Sequence, residues 1–132
     1  AANYVPYVKS NKLIFVSGQI PMLNGELVTG KIGKNIEIED AKTAARLCGL
    51  AIVSQLNEAT DLDLDKIKRI VKLGGFVNCI DEFTQQPEII NGASDLMVEV
   101  FGDKGKHSRF AVGTNSLPRN VVVEIEAIAE IH

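Results

Sequence analysis

Two stretches of the chain carry apolar residues at the spacing of an amphipathic helix. From Ile38 to Ala59 apolar residues recur every three or four positions, and acidic residues crowd the first turn, where the helix dipole favours negative charge. A second stretch begins at Pro87, a typical first residue of a helix, and runs to Phe101 before two nearby glycines. The pattern therefore predicts two helices that lie well apart along the chain.

The other apolar segments have the pattern of β-strands. One continuous apolar run predicts a strand from Lys12 to Ser17 that is buried on both faces, and a longer run predicts a strand from Arg69 to about Ile80. Asn24-Gly25 is a hairpin signal, so residues 20–23 and 26–29 are expected to pair as two short strands.

The closing segment is organised around a turn at Leu117–Asn120. A strand from Arg109 to about Ser116 precedes this turn, and a strand from Val121 to Ile131 follows it. In the second strand, alternation places purely apolar residues on one face. The other face combines acids with branched aliphatic residues, namely Val122, Glu124, Glu126, Ile128 and Glu130. Such a mixture indicates a face that something else partly covers.

A simpler interpretation makes this segment a solvated edge strand. Glu124, Glu126 and Glu130 would then face water, and Arg109 would pair with one of them, because most charged side chains lie at the surface. The aliphatic residues on the same face argue against a solvated edge strand, since aliphatic side chains that remain exposed to water do not stabilise the fold.

The order β-β-β-α-β-α-β-β predicts a single α+β domain over residues 1–132. Right-handed crossovers would place both helices on one face of a single mixed sheet. The opposite face would still carry Phe76, Ile80, Val122 and Ile128, a patch that a monomer rarely exposes. Association of several copies with closed rotational symmetry is the simplest way to cover it.

Composition and charge narrow the class of protein. The chain is 45% hydrophobic and 23% charged, with a net charge of −3, which argues against a nucleic-acid partner because such proteins usually carry a basic stripe. Cys48 and Cys79 lack the spacing and the histidine neighbours of a zinc site, so we expect no metal. Without a signal peptide or a membrane-length apolar run, we expect a cytoplasmic protein with no membrane partner.

A few other residues are of types that can act as nucleophiles or bases. Ser17, Cys48 and Cys79 have no histidine or aspartate partner that the sequence reveals, so we expect them to be structural. His107 as a general base is one possibility; a solvated loop histidine is the more common situation, because nothing in the sequence fixes its tautomer.

Three motifs give the chain a resemblance to a known family. They are V-S-G-Q-I-P at residues 16–21, Arg109 followed eight residues later by Leu117-Pro118, and V-E-I-E-A-I-A at residues 123–129. Together they resemble the YjgF/Rid family, the reactive-intermediate imine deaminases, some of which carry the older name L-PSP endoribonuclease. The resemblance covers nearly the whole chain. It implies a chorismate mutase-like fold that forms homotrimers, with helices outside and a cleft between subunits.

The resemblance also implies the residues of that cleft. Arg109 would clamp a substrate carboxylate, and Glu124 would orient the attacking water. The remaining cleft positions would be Tyr7, Gly18, Asn91 and Ala111, of which Gly18 and Ala111 act through their backbones. Each of these has a plainer explanation, in that Tyr7 suits a half-buried surface aromatic, Gly18 a bulge and Asn91 an exposed helix position.

The implied activity is hydrolysis of 2-imino or enamino acids to 2-oxo acids and ammonia, with no cofactor. A guanidinium binds a carboxylate through two parallel hydrogen bonds, and a glutamate in a partly apolar cleft has a raised pKa and can pass a proton. Two alternatives remain open. One is a trimer that binds small carboxylates, or acts as a chaperone, without turnover; the other is an endoribonuclease, which the acidic charge balance disfavours.

Two positions depart from the family's pattern. Ala111 stands where many members have cysteine, and because this position is expected to act through its backbone, activity should survive. Phe110 stands where a small hydroxyl residue is common, and it would narrow the cleft or change the preferred substrate.

Overall fold

Seven strands and two helices make up residues 3–132, the part of the chain that the computed structural model describes. The strands are β1 (Tyr7–Ser10), β2 (Leu13–Gln19), β3 (Met22–Leu23), β4 (Glu26–Leu27), β5 (Ile67–Asn78), β6 (Ser108–Thr114) and β7 (Val123–Ile131). The helices are α1 (Ile38–Ala59) and α2 (Gln86–Phe101). Single turns of 3-10 helix lie at Leu64–Lys66, Gly102–Gly105 and Pro118–Asn120.

Five of the strands form one mixed sheet in the order β1-β2-β7-β5-β6. β5 and β6 run parallel, and every other neighbouring pair is antiparallel. β3 and β4 form a separate hairpin whose turn residues, Asn24 and Gly25, both have positive φ, as the tightest hairpin turns require. The predicted α+β class, with both helices packed on one face of a mixed sheet, is confirmed.

The hydrophobic core lies between the sheet and the two helices. Alternate residues of β7 are buried and face α1, and β5 contributes a second buried row beside them. The two helices approach closely at Gly92, where a Cβ atom would overlap the carbonyl oxygen of Lys42. α2 is therefore held firmly between α1 and the edge of the sheet, which fixes the side chains that α2 presents to β6.

Three features differ from the expectation. β1 was not predicted, yet it pairs antiparallel with β2. β2 is not buried on both faces within this chain, because Ile14 and Val16 are buried while Phe15 is 41% exposed. β7 lies between β2 and β5 in the middle of the sheet, so the interpretation of its acids as a solvated edge strand is wrong; the edge strands are β1 and β6.

The face of the sheet opposite the helices carries an apolar surface, which we call the outer face. The register of the strands places six apolar side chains there, namely Val8, Phe15, Phe76, Phe110, Val112 and Ile128. Two residues that the sequence predicted for this face, Val122 and Ile80, lie elsewhere. Val122 is fully buried, because the regular alternation begins only with β7, and Ile80 lies beyond the end of β5 against Gly33.

Neither helix of the described residues has both the length and the hydropathy that crossing a bilayer requires.

Candidate active site

Arg109 lies on the edge strand β6 and reaches towards α2. Its Nη1 donates a hydrogen bond to Ser94 Oγ at 2.9 Å, and its Nη2 donates one to the carbonyl oxygen of Pro87 at 3.3 Å. A guanidinium has five N–H groups, so contacts within residues 3–132 leave three of them for a ligand. These two hydrogen bonds hold Arg109 through uncharged groups, so they do not neutralise its positive charge.

Ser94 connects Arg109 to His107. Ser94 Oγ lies 2.8 Å from His107 Nε2, and His107 Nδ1 lies 2.6 Å from the carbonyl oxygen of Gly105. Both ring nitrogens are therefore held and the side chain is half-buried, so the expectation of a solvated loop histidine is wrong. Sequence reasoning missed this contact because the two residues are 13 positions apart and belong to different elements.

Asn91 and Ala111 accompany Arg109 on this side of the molecule. Asn91 is half-buried on α2, one turn before Ser94, and Ala111 follows Arg109 on the same side of β6, opposite Gly75. Since β6 is an edge strand, no strand of residues 3–132 lies along its free side. We call Arg109, Asn91 and Ala111 the arginine group.

Glu124 lies in the centre of the sheet, next to Gly18 of the neighbouring strand β2. β2 has a bulge at Gly18, and a Cβ atom there would overlap the carboxylate of Glu124, so only glycine leaves room for this arrangement. Tyr7 is half-buried at the start of β1 and lies in register with the buried Val16, so its side chain packs against the core on the helix side of the sheet. Within one chain the structure therefore does not bring Tyr7 together with Glu124, which faces the other way. We call Glu124 and Gly18 the glutamate group.

The environment of Glu124 disfavours its negative charge. Burial raises the pKa of Glu124 above its ordinary value, and the nearby charge of Glu126 raises it further. Within residues 3–132 no hydrogen bond or ion pair compensates the carboxylate. Burial also raises the pKa of Cys48 strongly, with a smaller contribution from the charge of Glu124, which leaves Cys48 a protonated and buried thiol.

A depression of about 640 Å³ opens beside Gly18 on the helix side of the sheet, and Glu124 is not among the residues that line it. Its walls include Tyr4, Ser17 and Gly18 on one side and Ala51 and Gln55 of α1 on the other. The Oε1 atom of Gln55 is buried without a hydrogen-bond partner among residues 3–132. The space is large enough for a small organic acid.

The side chains of Arg109 and Glu124 lie on opposite sides of the sheet. Arg109 is in register with Leu73, which faces the helices, whereas Glu124 is in register with Phe76, which faces outwards. No bulge interrupts the strands between these positions, so the alternation of side chains is reliable. Within one chain the sheet therefore separates Arg109 from Glu124, and one cleft can contain both only if a second copy supplies one of them.

Phe110 belongs to the outer face and points away from the arginine group. Its ring covers Gly74, meets the ring of Phe76 edge-to-face at 5.3 Å between centroids, and lies 5.2 Å from Lys72 Nζ. Within one chain Phe110 therefore does not narrow the space around Arg109.

Among residues 3–132, no cluster of three or more His, Cys, Asp or Glu side chains is arranged to hold a metal ion.

Comparisons with known proteins cover the whole chain. It is 45% identical over 134 residues to Protein TCP17 of Trypanosoma cruzi, which spans all of this chain and 83% of that protein. A solved structure of a protein of unknown function from Agrobacterium tumefaciens is 49% identical, with a TM-score of 0.96 over all of this chain and 84% of that one. Escherichia coli TdcF, solved with bound serine, is 26% identical, with a TM-score of 0.68 over 100% and 91% of the two chains. The family model described as YjgF/chorismate mutase-like, putative endoribonuclease matches residues 1–131, and the chain therefore belongs to this family.

Proposed function

We propose that the protein is a cofactor-independent hydrolase that converts reactive 2-imino or enamino acids into 2-oxo acids and ammonia. The single observation that carries the proposal is the division of the site between the two sides of one sheet. A closed trimer that buries the outer face would bring the arginine group of one copy to the glutamate group of the next. The two free thiols suit a reducing compartment, so we place this activity in the cytoplasm.

Arg109 serves as the clamp for the substrate carboxylate in this proposal. Its fork of donors is already oriented by Ser94 and Pro87, and three N–H groups remain for the ligand. The serine bound to TdcF supports this role, because serine combines a carboxylate with a nitrogen on the neighbouring carbon, as a 2-imino acid does. The clamp fixes the imine carbon at a defined distance from the glutamate of the adjoining copy.

Glu124 serves as the proton carrier. Its carboxylate takes a proton from water as the water oxygen bonds to the imine carbon, whose C=N π electrons move to nitrogen. Glu124 then returns that proton to the nitrogen of the tetrahedral intermediate. Glu124 next accepts the hydroxyl proton of the intermediate and passes it to the same nitrogen, so the C–N bond breaks, ammonia leaves as NH₃, and the carbonyl of the 2-oxo acid forms. Burial that raises the pKa of Glu124 suits it to the donating step.

The test uses an amino-acid oxidase to release a 2-imino acid, whose decay is followed in competition with a carbonyl-trapping reagent. We expect the protein to accelerate decay, and Arg109→Ala to lower kcat/KM by about 10- to 100-fold, the value of charge-assisted hydrogen bonds. Arg109→Lys should fall between, because it keeps the charge and loses the fork. Arg46→Ala is the matched control, since Arg46 forms an exposed ion pair with Glu99 on the helical surface. Equal rates for Arg109→Ala and the wild type would refute the mechanism.

A second candidate is a trimer that binds small carboxylates without turnover. The serine bound to TdcF favours this candidate too, since a bound amino acid is a ligand whether or not it reacts. In that case 2-oxo acids would raise the melting temperature through Arg109 while the imine decayed at the rate of buffer alone. The family description also includes an endoribonuclease, so RNA is incubated with the same preparation, and Arg109-dependent cleavage would replace both candidates.

A further inference from the structure

We propose that Ser94 and His107 are positioning residues that hold the Arg109 guanidinium ready for its carboxylate. They form a directed chain of hydrogen bonds from Arg109 through the Ser94 hydroxyl and the His107 ring to the Gly105 carbonyl. This inference rests on the proposed function, because these hydrogen bonds would support Arg109 in its role as the carboxylate clamp.

The chemistry at the two ends fixes the direction of every hydrogen bond. The guanidinium of Arg109 can only donate, so Ser94 Oγ accepts from Nη1. The carbonyl oxygen of Gly105 can only accept, so His107 Nδ1 carries a proton and donates to it at 2.6 Å. In the neutral ring, Nε2 is then an acceptor, and the hydroxyl proton of Ser94 points to it. Each group therefore has one arrangement that satisfies its neighbours.

Gly105, the last residue in this series of hydrogen bonds, is held in place by packing. Gly105 is buried against the last turns of α2, where a Cβ atom would overlap the carbonyl oxygen of Met97. No other residue could bring its carbonyl to this place without moving the backbone. Ser94 is held in place as well, because it belongs to α2, which Gly92 holds against α1.

Positioning of this kind suits an arginine that must bind an anion. A free arginine side chain loses about 2 kcal/mol of rotamer entropy when it is ordered, and a side chain ordered in advance avoids that loss on binding. Among residues 3–132, Arg109 takes part in no ion pair, so its orientation is fixed without neutralising its charge. An aspartate or glutamate side chain could also hold Arg109 in one orientation. It would neutralise the guanidinium charge, however, and so weaken binding of the ligand carboxylate.

The kinetic test compares Ser94→Ala and His107→Phe with two controls. The controls are Ser54→Ala, an exposed serine of α1, and His132→Phe, the other histidine. The carboxylate is unchanged in the reaction, so the clamp stabilises ground state and transition state alike, and we expect KM to rise about 10-fold with kcat within about twofold. His107→Gln restores an acceptor for Ser94 and should recover most of the loss. An unchanged KM, or a fall in kcat alone, would overturn the proposal.

A second measurement does not depend on turnover. In ¹⁵N spectra of the full-length protein, His107 should show a protonated Nδ1 and an unprotonated Nε2, and Ser94→Ala should shift Nε2 alone. The dissociation constant of pyruvate should rise about 10-fold in Ser94→Ala and be unchanged in Ser54→Ala. A wild-type protein that binds pyruvate without hydrolysing imines would refute the proposed function and leave this inference standing. A protonated Nε2, or equal pyruvate affinity in Ser94→Ala and the wild type, would refute the inference itself.

Discussion

Glu124 is a residue whose charge the fold disfavours. Burial raises its pKa first, and the charge of Glu126 raises it further, while no partner within residues 3–132 compensates the carboxylate. A site that needs a proton carrier tolerates such a cost, because a carboxyl group with a raised pKa gives up its proton at a useful pH. The same property predicts how the stability of the protein depends on pH.

We expect Glu124→Gln to stabilise the protein at pH 7.5 and to have little effect below about pH 4. The folded state binds the proton of Glu124 more tightly than the unfolded chain, whose glutamate pKa is about 4.3. The wild type therefore keeps its full stability below that pH and loses part of it as pH rises through the folded pKa. Urea unfolding at both pH values and at one protein concentration measures the difference. Glu58→Gln, an exposed charge on α1, is the control; an equal gain at both pH values would contradict the assignment.

Gly18→Ala should reduce activity through Glu124 rather than through the stability of the fold. The new Cβ would overlap the carboxylate, which is the end of a flexible side chain and can move aside at a cost below about 1 kcal/mol. The displaced carboxylate should lower kcat about 10- to 100-fold, since misplacement by about 1 Å has effects of that size. The same substitution in a Glu124→Ala background should have no further effect on kcat. A further loss there would show that Gly18 acts by another route.

The sequence could predict these residues only in part. Alternation along β7 is visible in the sequence and places Glu124 opposite the buried apolar row. The relation of Glu124 to Arg109 depends on the register of β7 against β5 and of β5 against β6, and no local pattern encodes that register. The link between Ser94 and His107 was invisible for a similar reason, because it requires the packing of α2 against the segment that leads into β6.

At the scale of elements, long periodic segments were predictable and short ones were not. The bounds of α1 agree with the expectation, because 22 residues of regular apolar spacing leave no other solution. β1 has only 4 residues, three of them exposed, and it exists because β2 offers it an edge to pair with. Tertiary context of that kind is absent from a local window of sequence.

The contact between α1 and α2 depends on two glycines that should respond differently to alanine. Alanine favours a helix by up to about 1 kcal/mol over glycine, which benefits both substitutions. At Gly92 the new Cβ would overlap the backbone of Lys42, which cannot move alone, so we expect a net loss above about 2 kcal/mol. At Gly49 the nearest atom is Leu96 Cδ2 at 3.0 Å, a side-chain end that can adjust, so the net change should be under about 1 kcal/mol.

Urea unfolding of Gly92→Ala and Gly49→Ala separates these two outcomes. Asp95→Ala, an exposed position of α2, reports the effect of alanine without a helix contact. Equal losses at both glycines would mean that the helices repack as a unit rather than at the single point of contact.

At the scale of the whole molecule, the outer face should decide the state of assembly. Phe15 is 41% exposed and lies in register with Val8 and Ile128, so a charge at this position would face the neighbouring copy in the proposed trimer. We expect the wild type to sediment as three 14.3 kDa chains and Phe15→Asp as one, with its circular dichroism retained. Leu62→Asp is the control, since Leu62 is exposed in a loop away from the sheet. A Phe15→Asp protein that still sediments as a trimer would place the interface elsewhere.

The division of the cleft between copies makes a prediction about mixed assemblies. At substrate concentrations well below KM, Arg109→Ala and Glu124→Gln chains are each expected to keep less than about a tenth of the wild-type activity. Every trimer that contains both nevertheless has one cleft in which an intact Arg109 meets an intact Glu124. Random reassembly of equal amounts from urea should therefore restore about a quarter of the wild-type activity per chain. Chains that carry both substitutions, reassembled with Arg109→Ala chains, contain no intact cleft and should stay inactive. Because the sheet separates the two side chains within one copy, no route inside a single chain gives the same recovery. A mixture that remained inactive after verified exchange of subunits would show that the two residues do not share a cleft.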